Sequence, residues 1–218
     1  MNLNERAIAI EPMIPTLQYR RALKFWILGR AVEADRAITR VRELWPEHPW
    51  VWNARFLIFA FTGRARAAQA MIDDPRSRPE SFPPLAITTW TKALTALDQR
   101  TPANIAAASD AIRAASRVST GLAAHGVMML SSLGELDAAY DVANAVLLSR
   151  GSITVQPVVE AKRQLINNPG WKHTQWLFTP PCAPMRADPR FGPLCDGLGL
   201  TDYWRKRGVR PDYLSRRA

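Results

Sequence analysis

The feature that most constrains this chain is a spacing. Gly29 and Gly63 stand at i and i+34, and an alanine lies five places beyond each glycine, at Ala34 and Ala68. Pro46 falls where a connection between repeats belongs. A fixed period of this length is the mark of stacked helical hairpins, because one hairpin cannot bury its apolar face alone. The stretch from Trp45 to Ala68, WPEHPWVWNARFLIFAFTGRARAA, reads as one helix, a glycine corner and the start of the next helix. The expected architecture is all-α, one elongated unit of antiparallel helix pairs.

The 218 residues supply ample material for a continuous core, and 47% hydrophobic with 22% charged residues argues against wholesale disorder. A formal charge of +10 favours anionic partners: nucleic acid, acidic protein or anionic lipid. The 29 basic residues are scattered, the densest groups being Arg20 with Arg21, Arg64 with Arg66, and the tail of Arg205, Lys206, Arg207, Arg210, Arg216 and Arg217. That basic tail makes nucleic-acid contact a second possibility. Cys182 and Cys195 have no further cysteines to join them, so neither a disulfide scaffold nor a zinc site is expected. MNLNERAIAIEPMIP lacks the basic and apolar regions of a secretory signal. The longest apolar run, Phe56 to Phe61, is too short for a bilayer, which needs about 20 residues. The expectation is a cytoplasmic protein without membrane insertion.

Along the chain, residues 1–15 read as a lead-in arm, since Pro12 and Pro15 disfavour helix just before them. Residues 16–166 form the repeat domain. Its first hairpin pairs Thr16–Leu28 with Ala31–Trp45 about the Gly29 corner, and its second runs from Pro49 through Trp52, Phe56 and Phe59 to Asp73. Four prolines between Asp73 and Pro84 predict an irregular connection. A third hairpin turns at Thr101-Pro102, and a fourth, from Thr120 to Leu147, turns at Gly134. Thr154 to Ile166 reads as one more helix. Residues 167–218 carry six prolines between Asn167 and Pro193, predicting an extended strap, and then short capping helices.

Trp52, Phe59, Gly63 and Ala68, together with LGELDAAYDVA at Leu133 to Ala143, resemble the signature of tetratricopeptide-repeat proteins over roughly residues 15–150. The resemblance implies a right-handed superhelical array, a tetratricopeptide-like α-solenoid whose concave face binds a peptide or partner protein. The ending PMRADPRFGPLCDGLGLTDYW is similar to the C-terminal cap of bacterial repeat-containing regulators. Asp188 there is placed to cap a helix opened by Pro189, with Phe191, Leu194 and Leu198 on its buried side.

No phosphate loop, HExxH or GxSxG occurs, and His48, His125 and His173 are the only histidines, so the chain reads as a non-enzyme with no cofactor. An α-helical enzyme with unfamiliar motifs stays open. Counting from the corners, Arg20, Asn53, Lys92 and His125 fall five to six positions into successive first helices. The resemblance implies that such positions carry peptide-binding side chains, although at the ninth position, Leu23, Leu57, Thr95 and Met128, the usual second polar rung is mostly missing. Tyr19, Trp50 and Thr91 flank the ladder. These seven residues are the expected partner-binding groove, since cations and amides hydrogen-bond carboxylates and extended peptides. An accessory module of a bacterial transcription or signalling system is the alternative.

Overall fold

The computed structural model describes residues 2–79, 82–156 and 169–215, and among these the regular structure is helical, with no strand. The chain divides into two compact units, Met1–Ala108 and Ser109–Ala218.

The first unit contains α1 (Asn2–Ile10), α2 (Pro15–Ile27), α3 (Ala31–Leu44), α4 (Pro49–Ala60), α5 (Ala65–Asp73) and α6 (Pro84–Asp98). Neighbouring helices pack in chain order, and α2 also packs against α4. At the α2–α3 corner Gly29 takes φ +77°, and at the α4–α5 corner Gly63 takes φ +76°. Both corners close alike: the N–H of Arg30 reaches the carbonyl of Phe25 (2.9 Å), and that of Arg64 reaches Phe59 (3.2 Å). This six-residue closure around a left-handed residue satisfies carbonyls the helix end would orphan, and glycine adopts it without a Cβ clash.

The core of this unit is aromatic. Trp52 stacks on Phe56 with centroids 5.4 Å apart, Phe56 stacks on Trp90 of α6 at 4.5 Å, and the Phe82 ring meets Trp52 and Trp90 edge-on. Trp52, Phe56 and Trp90 are essentially sealed from solvent. Each such pair contributes about 0.5–1.5 kcal/mol beyond the area it buries.

The lead-in arm is more than a connection. It contains α1, whose Asn4 side chain donates to the Leu17 carbonyl (3.2 Å) and whose Glu5 pairs with Arg21 (2.9 Å). The α1–α2 connection repeats the α3–α4 connection: Pro12 and Pro15 stand one full period before Pro46 and Pro49, and Pro15 and Pro49 each open the following helix. Proline suits that first turn because its missing N–H has no helical partner there.

Helix α7 (Pro102–Ser116) spans the division between units. The second unit then has α8 (Thr120–Leu133) and α9 (Leu136–Leu148), packed together around the Gly134 corner. Every residue of α8 from Thr120 to Ser131 is buried. Gly121, Ala123, Ala124 and Gly126 keep its surface low; a Cβ on Gly126 would stand 2.7 Å from Ile112 Cγ2 of α7.

Residues 157–166 of the expected Thr154–Ile166 helix lie outside the described residues, and 154–156 carry no helix. The strap is not extended where it is described. Pro169–Lys172, Thr174–Phe178 and Pro180–Cys182 form 3-10 turns, followed by α10 (Ala183–Ala187). The prolines at 180 and 184 sit in first turns, where helix tolerates them. Arg186 Nη1 donates to the Leu177 and Thr179 carbonyls (both 2.7 Å), and Tyr140 Oη of α9 donates to the Met185 carbonyl (2.9 Å). The turns and α10 thereby pack against α8.

Helices α11 (Phe191–Gly197), α12 (Leu200–Arg207) and α13 (Asp212–Ser215) end the described chain. The α11 start lies two places beyond the expected Pro189, and Asp188 Oδ1 accepts from the Arg190 N–H at 2.9 Å. Phe191, Leu194 and Cys195 are the buried residues of this helix, whereas Leu198 is half-buried.

Candidate binding surface

The expected groove residues divide into covered and open ones. On α2, Tyr19 lies with its ring 6.3 Å from Trp50 of α4 and nearly parallel to it, and 6.1 Å from His48. Tyr19 is buried and Trp50 half-buried, so the accessible surface of this shelf belongs to Trp50. His48 Nδ1 caps α4 by accepting the Trp50 main-chain N–H (3.2 Å). Burial lowers the His48 pKa, consistent with a ring that accepts at Nδ1.

Arg20 is exposed next to this shelf in sequence, and its charge, after burial, lowers the pKa of Lys24 one turn along α2. On α6, Lys92 is exposed, while Thr91 is half-buried and accepts from Gln69 Nε2 of α5 at 3.1 Å. These open residues, Arg20, Trp50 and Lys92, are accessible to a partner.

Asn53 and His125 are not. Asn53 is 2% exposed, an interior residue of α4. His125 is completely buried: its ring centroid lies 4.4 Å from that of Trp171, and Nδ1 contacts the Gly121 carbonyl at 2.8 Å. Burial drives its pKa down to about 4, so the ring is neutral at pH 7. The chain's own Trp171 therefore lies against the ring that was expected to meet a guest. Polar residues at helical spacing look alike in sequence whether they face solvent or a distant segment.

A second arrangement is absent from the expected ladder. Arg21 and Arg30 both lie over the Phe25 ring, at 5.5 and 4.6 Å, and Arg55 and Arg64 both lie over Phe59, at 4.9 and 4.4 Å. The signal is RxxxFxxxGR, present at 21–30 and again one period later at 55–64. Spacings of four place arginine and phenylalanine on one helix face, and the residue after the corner glycine folds back over the same ring. In the first copy Arg21 pairs with Glu5 and Arg30 with Glu33 (both 2.9 Å). In the second, Arg64 pairs with Asp35 at 2.6 Å, while Arg55 has no paired carboxylate among the described residues and its Nε is buried without a hydrogen-bond partner.

Cys182 and Cys195 are buried free thiols, and burial raises them to about 12 and about 11, too high for thiolate chemistry near neutral pH. Among the described residues no three His, Cys, Asp or Glu side chains are grouped to hold a metal ion, and no helix is long and apolar enough to cross a membrane. The exposed residues Arg205, Lys206, Arg207 and Arg210 form the described part of the basic tail; Arg216 and Arg217 lie outside the described residues. Comparison with known proteins finds no matching family model, no matching curated sequence and no matching solved structure.

Proposed function

We propose that this chain is a non-enzymatic adaptor of tetratricopeptide-like helical repeats, closed by its C-terminal helices, that holds a peptide or protein segment on the first unit. The observation that carries this reading is the half-buried Trp50 ring of α4, backed by the buried Tyr19 ring of α2 and bordered in sequence by the exposed Arg20. A half-exposed aromatic ring supplies contact area at small entropic cost, and a neighbouring guanidinium adds charge-assisted hydrogen bonds to carboxylates or main-chain carbonyls. The repeated prolines, corner glycines and arginine-phenylalanine stacks support equivalence of the two hairpins.

The test uses Arg20→Ala combined with Lys92→Ala. Both side chains are exposed, so folding should be spared, with circular dichroism and melting unchanged. Partners retained by the unaltered protein from its native cell, once purified, should bind the double variant about tenfold or more weakly by calorimetry. Equal affinity would remove the shelf from the binding surface. A salt series distinguishes the basic tail, because phosphate-dominated binding falls steeply between low and moderate salt.

A further inference from the structure

The two copies of RxxxFxxxGR differ in one respect that points to a ligand. In the first, Glu5 on α1 reaches Arg21. The corresponding position in the second copy, one period on, is Thr39, exposed on α3. Helices α1 and α3 precede α2 and α4 by connections of equal length and pack against them, so Thr39 occupies in the repeat the place of Glu5. A hydroxyl of that length supplies no charge.

Further imbalance surrounds Arg55. Arg42 is seven places after Asp35, on the same face of α3; Asp35 Oδ2 is engaged by Arg64, whereas its Oδ1 is buried without a hydrogen-bond partner. Burial and the charge of Arg42 both lower the Arg55 pKa; Asp35 raises it and Arg64 lowers it again. A half-buried guanidinium with an unmet Nε–H, held over Phe59 near two other arginines, feels the Asp35 charge but makes no ion pair like that of its equivalent with Glu5. Leaving such a donor unpaired is costly, and a carboxylate matches a guanidinium in planar geometry.

We propose that Arg55, with Arg42 nearby, is a docking point for an acidic side chain of a protein partner, which supplies from outside the carboxylate that Glu5 supplies within the first repeat. The internal copy identifies the occupant's chemistry: a carboxylate carried on a helix. Arg55 lies two positions beyond Asn53, about 200° further round α4, so this docking point does not depend on the expected groove ladder.

The probe is a fluorescein-labelled helical peptide of alternating glutamate and alanine blocks, titrated against the full chain by anisotropy at low salt. Arg55→Met, which keeps an apolar stem over Phe59, should weaken binding about tenfold. Arg207→Gln removes the same charge from an exposed site on α12 and should leave affinity within about twofold. Thr39→Glu supplies the carboxylate internally; it should raise the melting temperature and weaken peptide binding about tenfold. No binding by the unaltered chain, an equal loss with Arg207→Gln, or Thr39→Glu behaving like the unaltered protein overturns the proposal. So does an oligothymidylate that binds as tightly and depends equally on Arg55. Arg20→Ala with Lys92→Ala reads the shelf separately, so either surface can fail alone.

Discussion

Helices α4 and α8 each lead into a glycine corner, at Gly63 and Gly134, yet they lie in different surroundings. On α4, Trp50, Arg55 and Phe59 remain half-buried, whereas α8 is covered without interruption from Thr120 to Ser131. Part of that covering is local: the turns and α10 of residues 169–187 pack on α8, bringing Trp171 onto His125. The contrast separates two uses of a polar residue on a helix. In the first unit exposed or half-buried arginines lie over Phe25 and Phe59; in the second a neutral imidazole is sealed inside.

Substituting Trp52 with alanine tests the aromatic half of this contrast most severely. The ring is 1% exposed, stacked on Phe56 and met edge-on by Phe82, so denaturant unfolding should show a loss of about 3–5 kcal/mol. An unchanged midpoint would mean that the stack does not hold the unit together.

The sealed half responds to pH. The folded state depresses the His125 pKa from 6.5 to about 4, so the stabilising effect is complete above about pH 6.5 and is lost as pH falls toward 4. Between about pH 7.5 and about pH 5 unfolding experiments should record about 2 kcal/mol of lost stability from this group. Trp171→Ala, by admitting water to the ring, should shrink that dependence. If the slope is the same in the variant, Trp171 is not what seals His125.

The smallest effect concerns the corners the two units share. Gly63→Ala places a Cβ on a residue at φ +76°, although nothing stands within 4 Å of it. The expected loss is about 1–2 kcal/mol, all of it from backbone conformation. A loss near zero would show that the corner relaxes without strain.

The helices of both units are legible because their signals are local. Gly29, Gly63 and Gly134 mark corners by themselves, and Pro49, Pro84 and Pro102 open α4, α6 and α7. Helix α1 escapes notice when Pro12 and Pro15 are read as breakers without their counterparts at 46 and 49. The compact form of residues 169–187 is not legible, because Tyr140 and Arg186 impose it through contacts as distant in sequence as that between Tyr140 and Met185. For the same reason Asn53 and His125 pass for surface residues. Arg55 is readable in principle, since RxxxFxxxGR recurs at the period already in view, but its missing counterion emerges only when Glu5 is seen to reach Arg21.

The Tyr140 and Arg186 hydrogen bonds bear on how the protein can be dissected. A fragment cut off before Pro169 would lose both tethers and uncover α8, a greasy surface with no charged side chain of its own. Aggregation of such a fragment is the expected result, so partner assays call for the chain with residues 169–187 kept.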